Sequence, residues 1–173
     1  LAGQIYDAAL DAALWPEALA RIGEFVGGRA GAIVTKDSVS KAGTPHFHFG
    51  LDPHYVEIYA KTHSHLDPTS GLSLFDAEQI VSLPELAPDE EFRAGRFFRE
   101  WMQPQGLVDA ANSVLEKSIR SCSFLTILRD EASGMVDAEM RGRMALVVPH
   151  VRRAMLIGKG LESAQAKTET FAD

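Results

Sequence analysis

Apolar positions recur at helical spacing in the first part of the chain. One stripe begins at Ile5 and a second begins at Leu19, with apolar residues three and four positions apart in each. Pro16 interrupts the pattern, and proline is best tolerated in the first turn of a helix. The sequence therefore predicts a helical segment over residues 4–26 that breaks near Trp15 and restarts with Pro16.

Four short segments have the pattern of β-strands. Residues 30–35 form a buried apolar run, and residues 45–50 alternate histidine and phenylalanine, with a polar turn between the two segments. Residues 108–115 and 121–128 repeat this arrangement around a polar turn at 116–120. The pattern predicts two β-hairpins.

Helical patterns lie between the two hairpins. One covers residues 53–64, with Asp52 as its predicted N-cap, and another covers residues 89–104. Residues 69–88 combine glycine, proline and serine with short apolar pieces. That composition is typical of a loop, with about one turn of helix at 83–86.

The last helical pattern begins near Asp137 and places its apolar side chains on one face. Pro149 lies inside this pattern, so a kink or break is expected near Val148. Farther along, the chain turns polar, as linkers do. These features predict one domain over residues 1–160 and the start of a linker over residues 161–173.

The elements follow the order α–β–β–α–loop–α–β–β–α. Hairpin strands pair antiparallel, and helices lie between and beyond the hairpins. The order therefore predicts an α+β fold, with one antiparallel sheet and helices packed against it. A chain of 173 residues is long enough to bury its core without disulfides.

Composition and charge narrow the functional classes. The net charge is −7, which disfavours stand-alone nucleic-acid binding because phosphates are neutralised by clustered lysine and arginine. No apolar run is long enough for a transmembrane helix, and the first residues have no signal-peptide pattern. The single cysteine, Cys122, permits no internal disulfide. We therefore expect a cytoplasmic protein that has no membrane partner.

The candidate residues for catalysis or metal binding do not assemble into a motif. Cys122 lies in an apolar strand pattern, whereas a nucleophilic cysteine needs an electropositive, partly exposed setting. His46 and His48 share one face of a strand, as two metal ligands can, but no further ligand spacing completes a site. We expect a protein that is not an enzyme and that carries no metal and no cofactor.

One segment combines aromatic rings with an acid. Tyr55 and Tyr59 are four residues apart and share a helix face, and Asp67 follows at the end of that helix. Two aromatic walls and a carboxylate can line a pocket and orient a ligand. By spacing alone the alternative is favoured, in which the tyrosines pack in the core and Asp67, before Pro68, caps the next turn.

The same segment resembles the autoinducer-binding domain of LuxR-type quorum-sensing regulators. That family carries an aromatic residue, a tyrosine four positions later and then an Asp-Pro pair, which Tyr55, Tyr59 and Asp67-Pro68 match. The family usually has tryptophan first, and its spacing to the acid is one residue longer. Other stretches resemble the N-terminal region of LuxR-type helix-turn-helix regulators, namely Leu14–Glu17, Pro104–Gly106 and Pro149–Ala154.

The resemblance implies a PAS/GAF-like α-β-α sandwich with a small-molecule pocket between the sheet and the helices. It implies that Tyr55, Tyr59 and Asp67 contact the ligand, with Trp101 and Ser123 as further candidates. It also implies a homodimer that reaches DNA only through a C-terminal helix-turn-helix region outside this chain. The signal would be an acyl-homoserine lactone or another small molecule. The alternative is a dimerisation or partner-interaction module of the same fold without a ligand.

Overall fold

The computed structural model describes residues 1–171. Within that range, five strands are linked to helices and to shorter 3-10 and π-helical turns. The strands are β1 (Ala30–Asp37), β2 (Gly43–Phe49), β3 (Val81–Ser82), β4 (Leu107–Lys117) and β5 (Ser121–Asp130). The α-helices are α1 (Ala2–Leu10), α2 (Trp15–Val26), α3 (Pro53–Ile58), α4 (Leu83–Leu86), α5 (Asp89–Ala94) and α6 (Ala138–Thr170).

The strands form one antiparallel sheet in the order β2-β1-β5-β4-β3. The two predicted hairpins are β1–β2 and β4–β5. They join at the centre of the sheet, where β1 pairs with β5 from Ala30 opposite Leu128 to Asp37 opposite Ser121. The predicted α+β fold with a single antiparallel sheet is confirmed.

Side-chain alternation along the strands divides the core into two layers. In β5, Leu125 and Ile127 face one side of the sheet, whereas Phe124 and Leu128 face the other. Helices α1, α2 and α6 pack on the first side, and α3, α4, α5 and the short helical turns pack on the second. Both faces are covered, which confirms the predicted α-β-α sandwich.

Three of the predicted helices are divided differently in the structure. The helix predicted over residues 53–64 is α3 followed by a π-helical turn, Tyr59–His63. The first segment breaks at Asp11, earlier than predicted, because the Asp11 carboxylate accepts a hydrogen bond from the Ala13 amide and caps a 3-10 turn. The predicted helix over residues 89–104 is interrupted at Gly95. Its second part contains a π-helical turn, Phe98–Met102.

The segment predicted as a loop, residues 69–88, contains more structure than expected. Pro68–Leu74 is a 3-10 helix, and the predicted turn of helix at 83–86 is α4. The edge strand β3 was not predicted. It has only two residues, Val81 and Ser82, and its main chain pairs with β4, so no alternation along the sequence could indicate it.

Helix α6 is continuous, so of the kink or break expected near Val148, the break is wrong. Pro149 lies in the helix interior, where it provides no amide hydrogen bond. Val147 and Val151 lie on either side of it and are both buried against the sheet. Packing on both sides of the proline therefore holds the two halves of the helix in one layer.

The end of α6 extends past this layer. Residues 161–170, predicted to start a linker, continue the helix and are exposed. Residues 172–173 of the predicted linker lie outside the described residues. Among the helices of residues 1–171, none combines the length and hydropathy that a membrane span requires.

Candidate ligand-binding site

A cavity lies between the sheet and the layer of short helices. Its volume is about 40 Å³, within about 490 Å³ of space free of protein atoms that also counts the open solvent at its mouth. Its walls are mainly apolar and aromatic, which is typical of small-molecule sites. A few polar side chains interrupt these walls, namely Tyr59, Asp67, Thr69, Asn112 and Thr126.

Tyr59 and Asp67 form a buried hydrogen bond at one side of the cavity. The Tyr59 hydroxyl donates to Asp67 Oδ2 at 2.7 Å. Asp67 Oδ1 accepts from the Thr69 amide at 2.9 Å, so the carboxylate also caps the 3-10 helix that begins at Pro68. Capping fixes the carboxylate to the main chain. The tyrosine hydroxyl therefore has a rigid acceptor.

Lys36, near the end of β1, brings a buried ammonium to the same carboxylate. Its Nζ lies 3.9 Å from Asp67 Oδ2. It donates to the Asp67 carbonyl at 3.2 Å, to Thr69 Oγ1 at 3.3 Å and to Ser70 Oγ at 3.0 Å. Buried charges need such partners, and here the cation and the anion neutralise each other.

Burial shifts the pKa values of this group. Burial raises the pKa of Tyr59 well above its ordinary value, and the Asp67 carboxylate adds to that shift. The phenol therefore stays neutral and acts as the donor. Burial lowers the pKa of the Lys36 ammonium, and the attraction of the Asp67 carboxylate opposes that change.

Three aromatic rings form the wall opposite the sheet. The Trp101 ring stacks on Phe97 with a centroid distance of 5.3 Å and lies 5.4 Å from the Tyr59 ring. Trp101 Nε1 donates to the Tyr55 carbonyl at 2.8 Å, and the same carbonyl accepts from the Tyr59 amide. The indole nitrogen is thus satisfied by the main chain. What Trp101 offers the cavity is its apolar surface.

The structure brings together three of the five residues predicted to contact a ligand. Tyr59, Asp67 and Trp101 all line the cavity. Tyr55 does not, because its half-buried ring packs at the edge of the layer, beside His54. Its carbonyl, however, holds Trp101 in place.

Ser123 lies on the opposite face of the sheet. Alternation in β5 sends its neighbour Phe124 to the cavity and Ser123 to a wide groove between α1, α2 and α6. There Ser123 Oγ lies 2.8 Å from Thr35 Oγ1, which is also 2.8 Å from His46 Nε2. The prediction that Ser123 lines the ligand cavity is therefore wrong, because the sequence does not determine which side of β5 faces the cavity.

Sequence reasoning missed four polar residues of the site: Lys36, Thr69, Asn112 and Thr126. Lys36 directly follows the predicted strand, and it shares a face with Ala32 and Val34, which could have indicated that it is buried. Asn112 and Thr126 pair across β4 and β5. The sequence shows that these two side chains are polar, but which face of the sheet they occupy depends on the strand register.

The histidines and the cysteine make other contacts. His63 Nε2 lies 3.2 Å from a Glu100 carboxylate oxygen, and His46 belongs to the groove described above. Among residues 1–171, no three His, Cys, Asp or Glu side chains are grouped in a way that could hold a metal ion. Burial raises the pKa of the Cys122 thiol, which disfavours a reactive thiolate.

Two solved domains are similar to this chain in fold. The LBD (ligand-binding) domain of VqsR from Pseudomonas aeruginosa has a TM-score of 0.74 and 13% identity, covering 91% of this chain and 93% of that one. A domain assigned to a two-component sensor histidine kinase from Sinorhizobium meliloti 1021 has a TM-score of 0.57 and 13% identity, covering 94% of this chain and 98% of that one. Neither a protein-family model nor a curated protein sequence matches the chain. The chain therefore shares its α+β fold with these two domains.

Proposed function

We propose that this chain is a signal-sensing domain that binds a small molecule in the cavity between the sheet and the short helices. The observation that carries the proposal is that Tyr59, Asp67 and Trp101, three residues singled out by the LuxR-type resemblance, line one apolar cavity. A few placed polar groups in apolar walls are what a small-molecule site needs. The likeness in fold to the LBD domain of VqsR supports the same role.

The proposal includes the biological setting that the resemblance implies. The domain would be the sensing part of a LuxR-type transcriptional regulator in the cytoplasm. It would act as a homodimer and reach DNA through a helix-turn-helix region outside these 173 residues. Its role is binding, without a catalytic step.

Strand β5 offers a physical route from the cavity to α6. Phe124 and Leu128 line the cavity, whereas Leu125 and Ile127 pack in the layer that contains α6. A ligand that binds only the folded state stabilises it, by about 2.7 kcal/mol at a concentration 100 times its Kd. A ligand that shifts β5 would also alter the packing of α6.

A thermal-shift screen with acyl-homoserine lactones, indoles and aromatic acids tests the proposal. At least one compound should raise the Tm by about 5 °C at saturating concentration. Ala110 is buried and lines the cavity, so Ala110→Leu should fill space and abolish that rise. Ala145→Leu makes the same change at an exposed position of α6 and should retain the rise. No rise with any compound, or an equal rise in Ala110→Leu, would contradict ligand binding in this cavity.

The second candidate function is an interaction module without a ligand. One observation favours it: α6 exposes the apolar side chains of Leu156, Ile157 and Leu161 by 45%, 40% and 41%. Apolar side chains in a row on one helix can pair with a second helix. If no compound stabilises the chain and the chain still self-associates, the result supports an interaction module rather than a ligand-binding domain.

A further inference from the structure

Asn112 is a buried polar residue that the interactions described so far do not explain. Among residues 1–171, four buried side-chain atoms have no hydrogen-bond partner: Ser64 Oγ, Asn112 Oδ1, Ser113 Oγ and Arg129 Nε. Of these four residues, only Asn112 lines the cavity. A buried acceptor without a donor is costly and is rarely retained without a reason.

The hydrogen bonds of the Asn112 amide fix which of its atoms is left over. Nδ2 donates to the Val81 carbonyl at 3.1 Å and to the Ala110 carbonyl at 3.2 Å. Both partners are acceptors, so the nitrogen has to face them and the oxygen has to face away. Oδ1 is therefore a hydrogen-bond acceptor without a donor, and it belongs to a residue in the sheet wall of the cavity.

Asp67, in contrast to Asn112, already has a hydrogen-bond donor for each of its carboxylate oxygens. Oδ2 already accepts from the Tyr59 hydroxyl, Oδ1 accepts from the Thr69 amide, and the Lys36 ammonium balances the charge. A ligand donor at Asp67 would compete with these partners. A charged ligand would find no unpaired opposite charge in the cavity wall.

We propose that Asn112 Oδ1 accepts a hydrogen bond from an N–H or O–H group of the ligand, and that the ligand is a small, neutral, largely aromatic molecule. This inference rests on the proposed ligand binding and specifies the chemistry of that site. The rings of Phe97 and Trp101 contact the apolar part of the ligand. Asn112, in the sheet wall, selects molecules with a donor over equally large molecules that lack one.

A comparison of two methylindole isomers measures the contribution of this hydrogen bond to binding. 3-Methylindole and 1-methylindole have the same formula and nearly the same volume, but only 3-methylindole has an N–H. Calorimetry on the wild-type chain should give a Kd for 3-methylindole about tenfold lower than for 1-methylindole. Indole-3-carboxylate, which retains the N–H and adds a negative charge, should bind more weakly than 3-methylindole by at least about tenfold.

Substitution of Asn112 should abolish the preference between the isomers. In Asn112→Ala, and in the bulkier Asn112→Leu in case the first variant does not fold, the two Kd values should differ by less than about twofold. Leu128→Val changes the apolar lining without removing a polar group and should retain the tenfold preference.

The possible outcomes separate this inference from the proposed function. If both isomers bind the wild type equally well, the cavity takes ligands but Asn112 does not select them, and the inference is wrong. If the preference survives Asn112→Ala but is lost in Thr126→Val, the donor goes to the Thr126 hydroxyl, and the assignment to Asn112 is wrong. If neither isomer binds and no compound raises the Tm of the wild type, the proposed function fails, and this inference with it.

Discussion

Three buried residues, Lys36, Tyr59 and Asp67, act as one electrostatic unit. Each satisfies a charge or polar group that would be costly to bury alone. These contacts join Lys36 of β1 to the segment from Tyr59 to Asp67. Changes at one member should therefore alter the contribution of the others to stability.

Tyr59→Phe should change how stability depends on alkaline pH. The pKa of Tyr59 is raised in the folded state above its ordinary value of 10.0. Its contribution is therefore fully present below about pH 10 and is lost as the pH rises above that value. Urea unfolding between pH 8 and 11 should show a smaller alkaline loss for Tyr59→Phe than for the wild type. An equal loss in both would contradict a buried, neutral Tyr59.

At neutral pH, Tyr59→Phe should also lower the free energy of unfolding by about 1–3 kcal/mol, because Asp67 Oδ2 loses its donor. Tyr55→Phe is the matched control. The Tyr55 hydroxyl makes no hydrogen bond within residues 1–171, so this control should cost less than about 0.5 kcal/mol.

A double-mutant cycle tests the pairing of Lys36 with Asp67. Lys36→Met leaves a buried carboxylate without its cation and should lower the free energy of unfolding by about 3 kcal/mol. Lys36→Met combined with Asp67→Asn removes both charges. It should therefore cost at least about 1 kcal/mol less than the sum of the single variants, as measured by urea unfolding. Additive losses would show that the two groups do not interact.

The sequence indicated the aromatic and acidic part of the site but not its basic part. Spacing alone favoured tyrosines packed in the core and Asp67 as a cap. The resemblance to LuxR-type domains, which rests on a local sequence pattern, assigned Tyr59 and Asp67 to the site. Lys36 was missed because a lysine is usually exposed, and its burial depends on a partner 31 residues away. Ser123 was assigned to the site because sequence alone does not determine which side of β5 faces the cavity.

The elements that carry the cavity differ in regularity. The sheet wall consists of the long paired strands β1, β4 and β5. The opposite wall consists of α3, short 3-10 and π-helical turns, and the aromatic segment around Trp101. Short helical turns have few internal hydrogen bonds, so this wall is the one expected to move when the cavity widens.

The elements recovered from the sequence are those with local signals. Both hairpins and α2 have clear periodicity and turn residues, and the structure confirms them. Strand β3 and the π-helical turn at Phe98–Met102 have no periodic signal, because pairing with β4 and packing against the sheet determine them. The continuity of α6 was missed for the same reason, since burial on both sides of Pro149 outweighs its local effect.

Removal of the proline from α6 should stabilise the domain. Pro149→Ala restores a helical amide and should raise the free energy of unfolding by about 1–3 kcal/mol. Gly142→Ala, at an exposed position of the same helix where an added Cβ meets no atom within 4 Å, controls for helix propensity and should gain about 0.5–1 kcal/mol. A loss of stability in Pro149→Ala, measured by urea unfolding, would show that the helix requires its proline.

The exposed apolar side chains of α6, Leu156, Ile157 and Leu161, form the candidate surface for self-association. We predict that the chain sediments as a dimer at high micromolar concentration, because exposed apolar side chains such as Leu161 can pair between two copies. Leu161→Glu should shift the chain toward the monomer. Leu74→Glu, at a residue that is 87% exposed on the other side of the sheet, should not. A wild-type monomer at this concentration would contradict the prediction.

A small molecule in the cavity would contact only one face of the sheet, so β5, which has side chains on both faces, provides an internal control. A methyl NMR titration with 3-methylindole reports on both faces at once. Thr126 and Leu128 line the cavity, whereas Leu125 and Ile127 face the α6 layer. We predict saturable shift changes at Thr126 and Leu128 that exceed those at Leu125 and Ile127. The absence of any saturable change, or changes confined to Leu125 and Ile127, would contradict ligand binding in the cavity.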